Sequence, residues 1–317
     1  MKFLYVTDTH LTNTVPKYRT KDFFREVLEK WSEVFLIAKE RKVDFILHGG
    51  DIFHTSDPDV HVILETMKRM NKEIPVYLTV GNHDYRSNNF ENVFDTTAMG
   101  LLEHAGYLKM PNDDLIFKED GGPRVLVRMV HYFQKKDFIK HFTFKDYKNF
   151  DYCVMVAHAT IVNQPVKFKH ITVNDLAQDS DFDLVLCGHY HYPFDVKVGN
   201  TRFINPGSMT RLTKADDDMK RTPQVIIVDV QYKKGVKIEY VPLKSAVHWN
   251  TAFQLEQIEE DREDEERLSE EFSEAVQGNS VTSFNVDEII DLLSEGGHVS
   301  KDVVTTCKKY LEEVKNG

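Results

Sequence analysis

Five short apolar runs each end in residues that can bind a metal ion or move a proton. "KFLYV" leads through Thr7 to Asp8-Thr9-His10, and "DFILHGG" leads to Asp51. "VYLTVG" leads to Asn82-His83-Asp84, "YCVMVA" to His158, and "LVLCG" to His189-Tyr190-His191. Carboxylates, imidazoles and an amide, with no thiolate, are a hard-to-borderline donor set suited to Mn²⁺, Fe²⁺ or Zn²⁺. Seven candidate ligands are too many for one ion. Two ions about 3.5–4 Å apart, sharing a carboxylate, would use them, activate a water and neutralise charge on a phosphoryl group. In an extended segment residues i and i+2 point the same way, so the D-x-H and H-x-H pairs would each reach one centre. His54, three residues after Asp51, is open to three roles: ligand, substrate-side group or structural neighbour.

Alternating strand and helix patterns must position these residues. Residues 22–42 read as a helix, with Phe24, Val27, Leu28, Trp31, Val34, Phe35 and Ala38 at three- and four-residue steps. Further helices are expected near 59–73 and 91–105, giving a βαβαβ order and a mostly parallel central sheet. Ligands of open α/β sheets sit beyond the carboxyl ends of strands, where the five runs would meet. Later runs such as "DVKVG", "TRFINPG", "QVIIVDVQY" and "KIEYVPL" are hairpin-spaced and predict a second, antiparallel region. The globular unit is expected to end near residue 245. An acidic helix and linker would follow over 246–284, and an amphipathic helix pair over 285–317.

The net charge of −11 is uneven: residues 256–274 hold eleven Asp/Glu against two Arg, leaving about −2 for the rest. A nucleic-acid substrate is therefore not excluded, although no basic stripe is present. Cys153, Cys187 and Cys307 lack metal-ligand spacing and read as free thiols of a reducing cytosol. No apolar run approaches the ~20 residues of a membrane span. The opening "MKFLYVTDTH" reads as a strand rather than a secretion signal. A cytoplasmic protein is expected.

Asp8-x-His10, Gly50-Asp51, Gly81-Asn82-His83-Asp84, His158 and Gly188-His189-x-His191 resemble the five motifs of the calcineurin-like metallophosphoesterases. The resemblance covers roughly residues 1–210. It implies an α/β fold, a β-sandwich flanked by helices, here with a short C-terminal helical extension. It also implies a dinuclear site: Asp8, His10, Asp51 and His191 around one ion, Asp51, Asn82, His158 and His189 around the other. Asp51 would bridge, and His83 would orient the phosphate or protonate the leaving oxygen.

Within that superfamily, "GDIFHTSDPD" (50–59), "IPVYLTVGNHD" (74–84) and "NPGSMTR" (205–211) resemble the SbcD-type DNA repair nucleases, including the recombination nucleases of tailed phages. Protein phosphatases of the superfamily typically carry an Arg after the second motif and GNHE at the third, unlike this chain. Small phosphodiesterases share NPGS but are shorter. The resemblance implies a Mn²⁺-dependent DNA exo- or endonuclease that hydrolyses phosphodiesters with hydroxide activated by the metal pair. His83 and His54 would assist catalysis, and Arg211 would contact substrate. The helix pair, through Ile289, Ile290, Leu293, Val303, Tyr310 and Leu311, would dock on an SbcC-like coiled-coil ATPase of SMC type. A homodimer would be a further assembly, and the cytoplasm near the nucleoid or of a phage-infected host the setting. A standalone small-substrate phosphodiesterase and a non-catalytic scaffold are the alternatives. Cellular SbcD-type nucleases carry a sizeable cap that positions DNA, whereas only about 40 residues separate "VPLKS" from the helix pair here.

Overall fold

Strand β1 (Lys2–Val6) sends its side chains alternately into two different cores. Phe3 and Tyr5 enter the layer between two sheets, and Leu4 and Val6 enter the layer beneath the helices. That two-sided burial explains an apolar run with no polar alternation. The computed structural model describes residues 1–86, 91–118, 120–143, 147–178 and 180–278.

Helix α1 (Phe23–Glu40) follows, then β2 (Phe45–His48), α2 (Val60–Arg69) and β3 (Val76–Leu78). On α1, Val27, Leu28, Trp31, Val34, Phe35 and Ala38 are buried, as their spacing requires, while Phe24 is partly covered. Glu26 and Lys30 are buried on the same helix. The helix expected near 91–105 is two short ones, α3 (Glu91–Thr96) and α4 (Ala98–His104). Thr97 separates them and caps α4 by accepting from Gly100 N.

Strands β4 (Leu115–Lys118), β5 (Arg124–Val130), β6 (Tyr152–Ala159), β7 (Ile161–Val162) and β8 (Ile171–Thr172) come next, the first two preceding a 3₁₀ segment at Tyr132–Phe142. They are followed by α5 (Val173–Ala177), β9 (Leu184–His189), β10 (Phe194–Val198), β11 (Thr201–Asn205), α6 (Asp216–Lys220), β12 (Gln224–Gln231), β13 (Gly235–Pro242), α7 (Trp249–Ala252) and α8 (Leu255–Gly278).

There is no single parallel sheet and no separate antiparallel region. Among the described residues one large sheet runs β13-β12-β1-β2-β3, a second runs β10-β11-β9-β6-β5-β4, and β7 and β8 form a small two-stranded sheet. The first is antiparallel on one side of β1 (β13, β12) and parallel on the other (β2, β3), and the second is parallel at its centre (β11, β9, β6, β5) and antiparallel at both edges (β10, β4). The four hairpin-spaced runs are thus shared between both sheets. Phe3, Tyr5, Phe45 and Leu47 of one sheet meet Val127, Val156, Leu186 and Ile204 of the other in the sandwich core. Helices α1 and α2 cover one outer face, and the 3₁₀ segment with α5 covers the other. The result is a mixed α/β sandwich flanked by helices.

The chain divides into two units, Met1–Leu255 and Glu256–Gly317. The first extends to Leu255, not 245, because its last residues are tied to residues 17–19. Gln254 Nε2 donates to Arg19 O at 2.7 Å, and Arg19 Nε donates to Ala252 O at 3.0 Å. In the second unit the described part is the acidic helix α8, braced internally by Arg267–Asp264 at 2.9 Å and by Gln257–Asp261 at 2.9 Å. The expected helix pair at 285–317 lies outside the described residues. Among the described residues no helix is long and apolar enough to cross a membrane.

Candidate metal centre

The backbone turns sharply at the chemistry-bearing residues. Among the described residues, Asp8 (φ 50°), His10 (φ 44°), Asp51 (φ 54°) and His189 (φ 77°) are four of six non-glycine residues with positive φ. The D-x-H pair is therefore not extended, and strand alternation is not what aims its side chains. A left-handed residue with a Cβ costs about 1–2 kcal/mol and persists only where its surroundings fix it. Here Asp8 N donates to Gly50 O at 3.1 Å and His10 N to Asp51 O at 3.0 Å, tying two ligand loops together.

One group of donors is Asp8, His10 and His191, whose ligand atoms lie within 4.8 Å of one another. His10 Nε2 and His191 Nε2 are 3.0 Å apart and lie 3.9 and 3.7 Å from Asp8 Oδ1. Asp8 is fixed by the Thr7 hydroxyl at 2.6 Å and by His189 N at 3.1 Å. Asp8 and His10 are buried, while His191 stands at the rim with 26% of its side chain exposed.

The other group is Asp51, His158 and His189. His158 Nε2 is 3.3 Å from Asp51 Oδ2 and 3.2 Å from Asn82 Oδ1. A carbonyl only accepts, so the 2.6 Å contact of His158 Nδ1 with Gly49 O fixes a proton on Nδ1 and leaves Nε2 as the donor atom toward the site. Asp51 Oδ2 also lies 3.9 Å from His10 Nε2, so one oxygen faces both groups. Gly81 is needed beside it, because a Cβ there would collide with the Asp51 carboxylate.

His10, His54 and His83 form a third set with mutually close nitrogens. The His54 and His83 rings stack at 5.2 Å, and both meet His10 edge-on. His83 N donates to Asp51 Oδ1 at 2.8 Å, and His83 Nδ1 donates to His54 O at 2.7 Å.

The electrostatics follow from burial and crowding. Burial pushes the Asp8 carboxyl up, outweighing His158 and His191, and pushes His10 well below its usual value. Asp51 goes the other way: despite burial, the His158 charge and hydrogen bond hold it well below the carboxylate range. Burial opposes a proton on His158, but Asp51 raises it to about 9. Oxygen and imidazole lone pairs converging from several chain segments onto buried positions fit divalent cations of the hard-to-borderline kind.

Arg211 does not fit a substrate contact. It is 3% exposed, donates to Val247 O at 2.5 Å and Met219 O at 3.3 Å, and lies 3.5 Å from Glu26. Its two terminal nitrogens are taken by Val247 O, Met219 O and Glu26, while its buried Nε has no partner among the described residues. The expected partner-docking residues Ile289, Ile290, Leu293, Val303, Tyr310 and Leu311 lie outside the described residues.

Sequence reasoning gave no role to Asp84, His48 or Ser208. Asp84 accepts three backbone N–H groups around Asp51 and is pushed up to about 7 by burial and the Asp51 charge. His48 is buried beside Thr9, with its ring held down to about 3 by burial. Ser208 meets the backbone of Asp8. A conspicuous "GNHD" and "NPGS" signalled two of them, and nothing signalled His48.

Residues 1–193 match the calcineurin-like phosphoesterase family. Among curated proteins, the DNA double-strand break repair protein Mre11 of Methanosarcina acetivorans is 25% identical over 339 residues, covering 99% of this chain and 52% of that protein. Its counterpart from Methanosarcina mazei is 26% identical over 230 residues, covering 69% and 35%. That from Halobacterium salinarum is 25% identical over 229 residues, covering 68% and 54%. The chain thus spans about half the length of these relatives, or less. With the match extending over more than half of the sequence, the chain belongs to the calcineurin-like phosphoesterase family and is related to the Mre11-type repair proteins.

Proposed function

We propose that this chain is a Mn²⁺-dependent DNA nuclease, the phosphodiesterase subunit of an SbcCD-like repair or recombination complex. One observation carries the proposal: Asp51 Oδ2 faces both donor groups, 3.3 Å from His158 Nε2 and 3.9 Å from His10 Nε2. A carboxylate so placed suits two ions rather than one. Asp8, His10, Asp51 and His191 would hold the first, and Asp51, Asn82, His158 and His189 the second. When bound, the ions supply an activated water and neutralise charge on the phosphoryl group.

The chain's own groups would do the rest. With His83 Nδ1 committed to His54 O, Nε2 is the atom left to give a proton to the leaving oxygen. His54, stacked on His83, would steer the strand and its phosphate. The Mre11-type relatives support a DNA substrate over a small phosphodiester. The helix pair expected at 285–317 would dock on a coiled-coil ATPase, and deleting it should abolish that association while sparing cleavage of simple single strands. Association that survives the deletion removes the tail from this reading.

Purified chain should degrade linear DNA with Mn²⁺, and Asp8→Ala and His83→Ala variants should not. Turnover of bis-p-nitrophenyl phosphate with no action on DNA under any metal would replace this reading with a small-substrate phosphodiesterase. Absence of any bindable ion would leave only a scaffold.

A further inference from the structure

We propose that residues 208–210 form a clamp that positions only one of the two ion sites, the Asp8–His10–His191 site, and that Ser208 and Arg221 are its positioning residues. The proposal rests on the reading above that both donor groups hold ions.

The first site depends on a backbone that is not self-supporting. Asp8 and His10 both lie in the left-handed region, beyond the end of β1. Three successive carbonyls of that turn are each taken by the clamp. Met209 N donates to Thr7 O at 3.2 Å, and Thr210 Oγ1 to Thr9 O at 2.5 Å. Ser208 Oγ lies 2.7 Å from Asp8 O and 2.8 Å from Thr210 O, so its one proton is shared between them. Ser208 N donates to His191 O at 3.1 Å. A single fully buried serine thus touches the main chain of two ligands of the same site.

The clamp is held from behind by two basic side chains. Arg221 donates to Ser208 O and, at 2.7 Å, to Thr210 O. Lys30 Nζ donates to the carbonyl between them, Met209 O, at 2.9 Å. Arg221 is itself fixed by Asp218 at 2.9 Å, whose other oxygen accepts from Leu212 N and Thr213 N, each at 2.9 Å. Three carbonyls in front and three behind leave the segment little freedom, although it belongs to no strand.

The second site has a different support. His158 sits inside β6, paired on both sides by β5 and β9, and its ring is tied to Gly49 O. His189 ends β9 and pairs with Ala159. Asp51, shared by both sites, is set by Asp84. Loosening the clamp therefore removes the bonds to the carbonyls of Thr7, Asp8, Thr9 and His191, leaving the Asp8–His10 turn only its bonds to Gly50 O and Asp51 O, while His158 and His189 stay in their sheet.

The test is a calorimetric Mn²⁺ titration of the full chain, read together with the electron paramagnetic resonance spectrum of the bound Mn²⁺. Wild type should bind two ions with a spin-coupled spectrum. Ser208→Ala and Arg221→Met should bind one ion with near wild-type affinity and the other about ten- to a hundred-fold more weakly, the usual effect of removing an outer hydrogen bond. The coupled spectrum should then give way to that of an isolated ion, and millimolar Mn²⁺ should restore it. If Arg221→Met does not fold, Ser208→Ala and Thr210→Val carry the test. Both affinities falling together, or neither falling, overturns the clamp. Wild type binding a single ion overturns the two-ion reading itself.

Discussion

Asp84 accepts the backbone N–H of Asp51 at 2.8 Å, and its two oxygens also take up Gly81 N and Ile52 N. One fully buried carboxylate thereby sets the turn that carries Asp51, the proposed shared ligand. Asp84→Ala would orphan three buried donors, each worth about 1–3 kcal/mol. We expect a loss of at least about 3 kcal/mol in urea denaturation, and Mn²⁺ affinity lowered about ten- to a hundred-fold. Asp84→Asn keeps one accepting oxygen and should fall between the two. An alanine variant that binds Mn²⁺ like wild type would contradict this role.

His83 meets Asp51 through its backbone N–H, so replacing the side chain leaves that bond in place. His83→Ala should keep both ions, measured as metal content after gel filtration, and lower kcat on DNA about 10²- to 10⁴-fold. Loss of an ion would instead make His83 a ligand.

His54 has no partner at Nδ1 among the described residues, although that atom is buried. His54→Ala should retain both ions and lose most cleavage of DNA, because the ring stacked on His83 is removed. Metal loss in this variant would assign His54 to the coordination sphere, which the close set His10, His54 and His83 makes geometrically accessible.

Lys30 provides a pH signature of stability. Burial lowers its amine from 10.5 to about 7, outweighing the pull of Glu26 at 3.3 Å. Between those values the unfolded chain binds the proton and the native chain does not, so stability should rise with pH across that window. Below about 7 the cost of the buried charge is fully present; above 10.5 it is gone. The slope reaches about 1.4 kcal/mol per pH unit at most. Urea midpoints of wild type and Lys30→Met, compared from pH 7 to 10, should differ by this slope, and parallel curves would refute it.

The site was legible where local sequence carries it. Each candidate ligand group follows an apolar run, and glycines at 50 and 81 mark where the chain must turn against its neighbours. The reason given for convergence was wrong, because Asp8, His10 and His189 are aimed by left-handed backbone, which residue spacing does not reveal. Sheet membership was also hidden. One of the two partners of β1 is β12, chosen by long-range packing rather than by either segment's own pattern. Arg211 looked available because a sequence shows charge but not the backbone acceptors it meets, here Val247 O and Met219 O. Asp84 was visible as a letter of a motif, but its role depends on three N–H groups whose directions only the fold defines.

The placement of β1 between β2 and β12 has a consequence for biosynthesis. Asp8 and His10 leave a ribosome some two hundred positions before the residues that brace their turn, Ser208 to Thr210 and Arg221. At roughly 5–20 residues per second, that interval is on the order of 10–40 s. Throughout it, a growing chain carries metal-binding side chains without the scaffold that gathers them. The Asp8–His10 turn would then be braced only once residue 221 has emerged, so a fragment released before that point would lack the bonds that hold it.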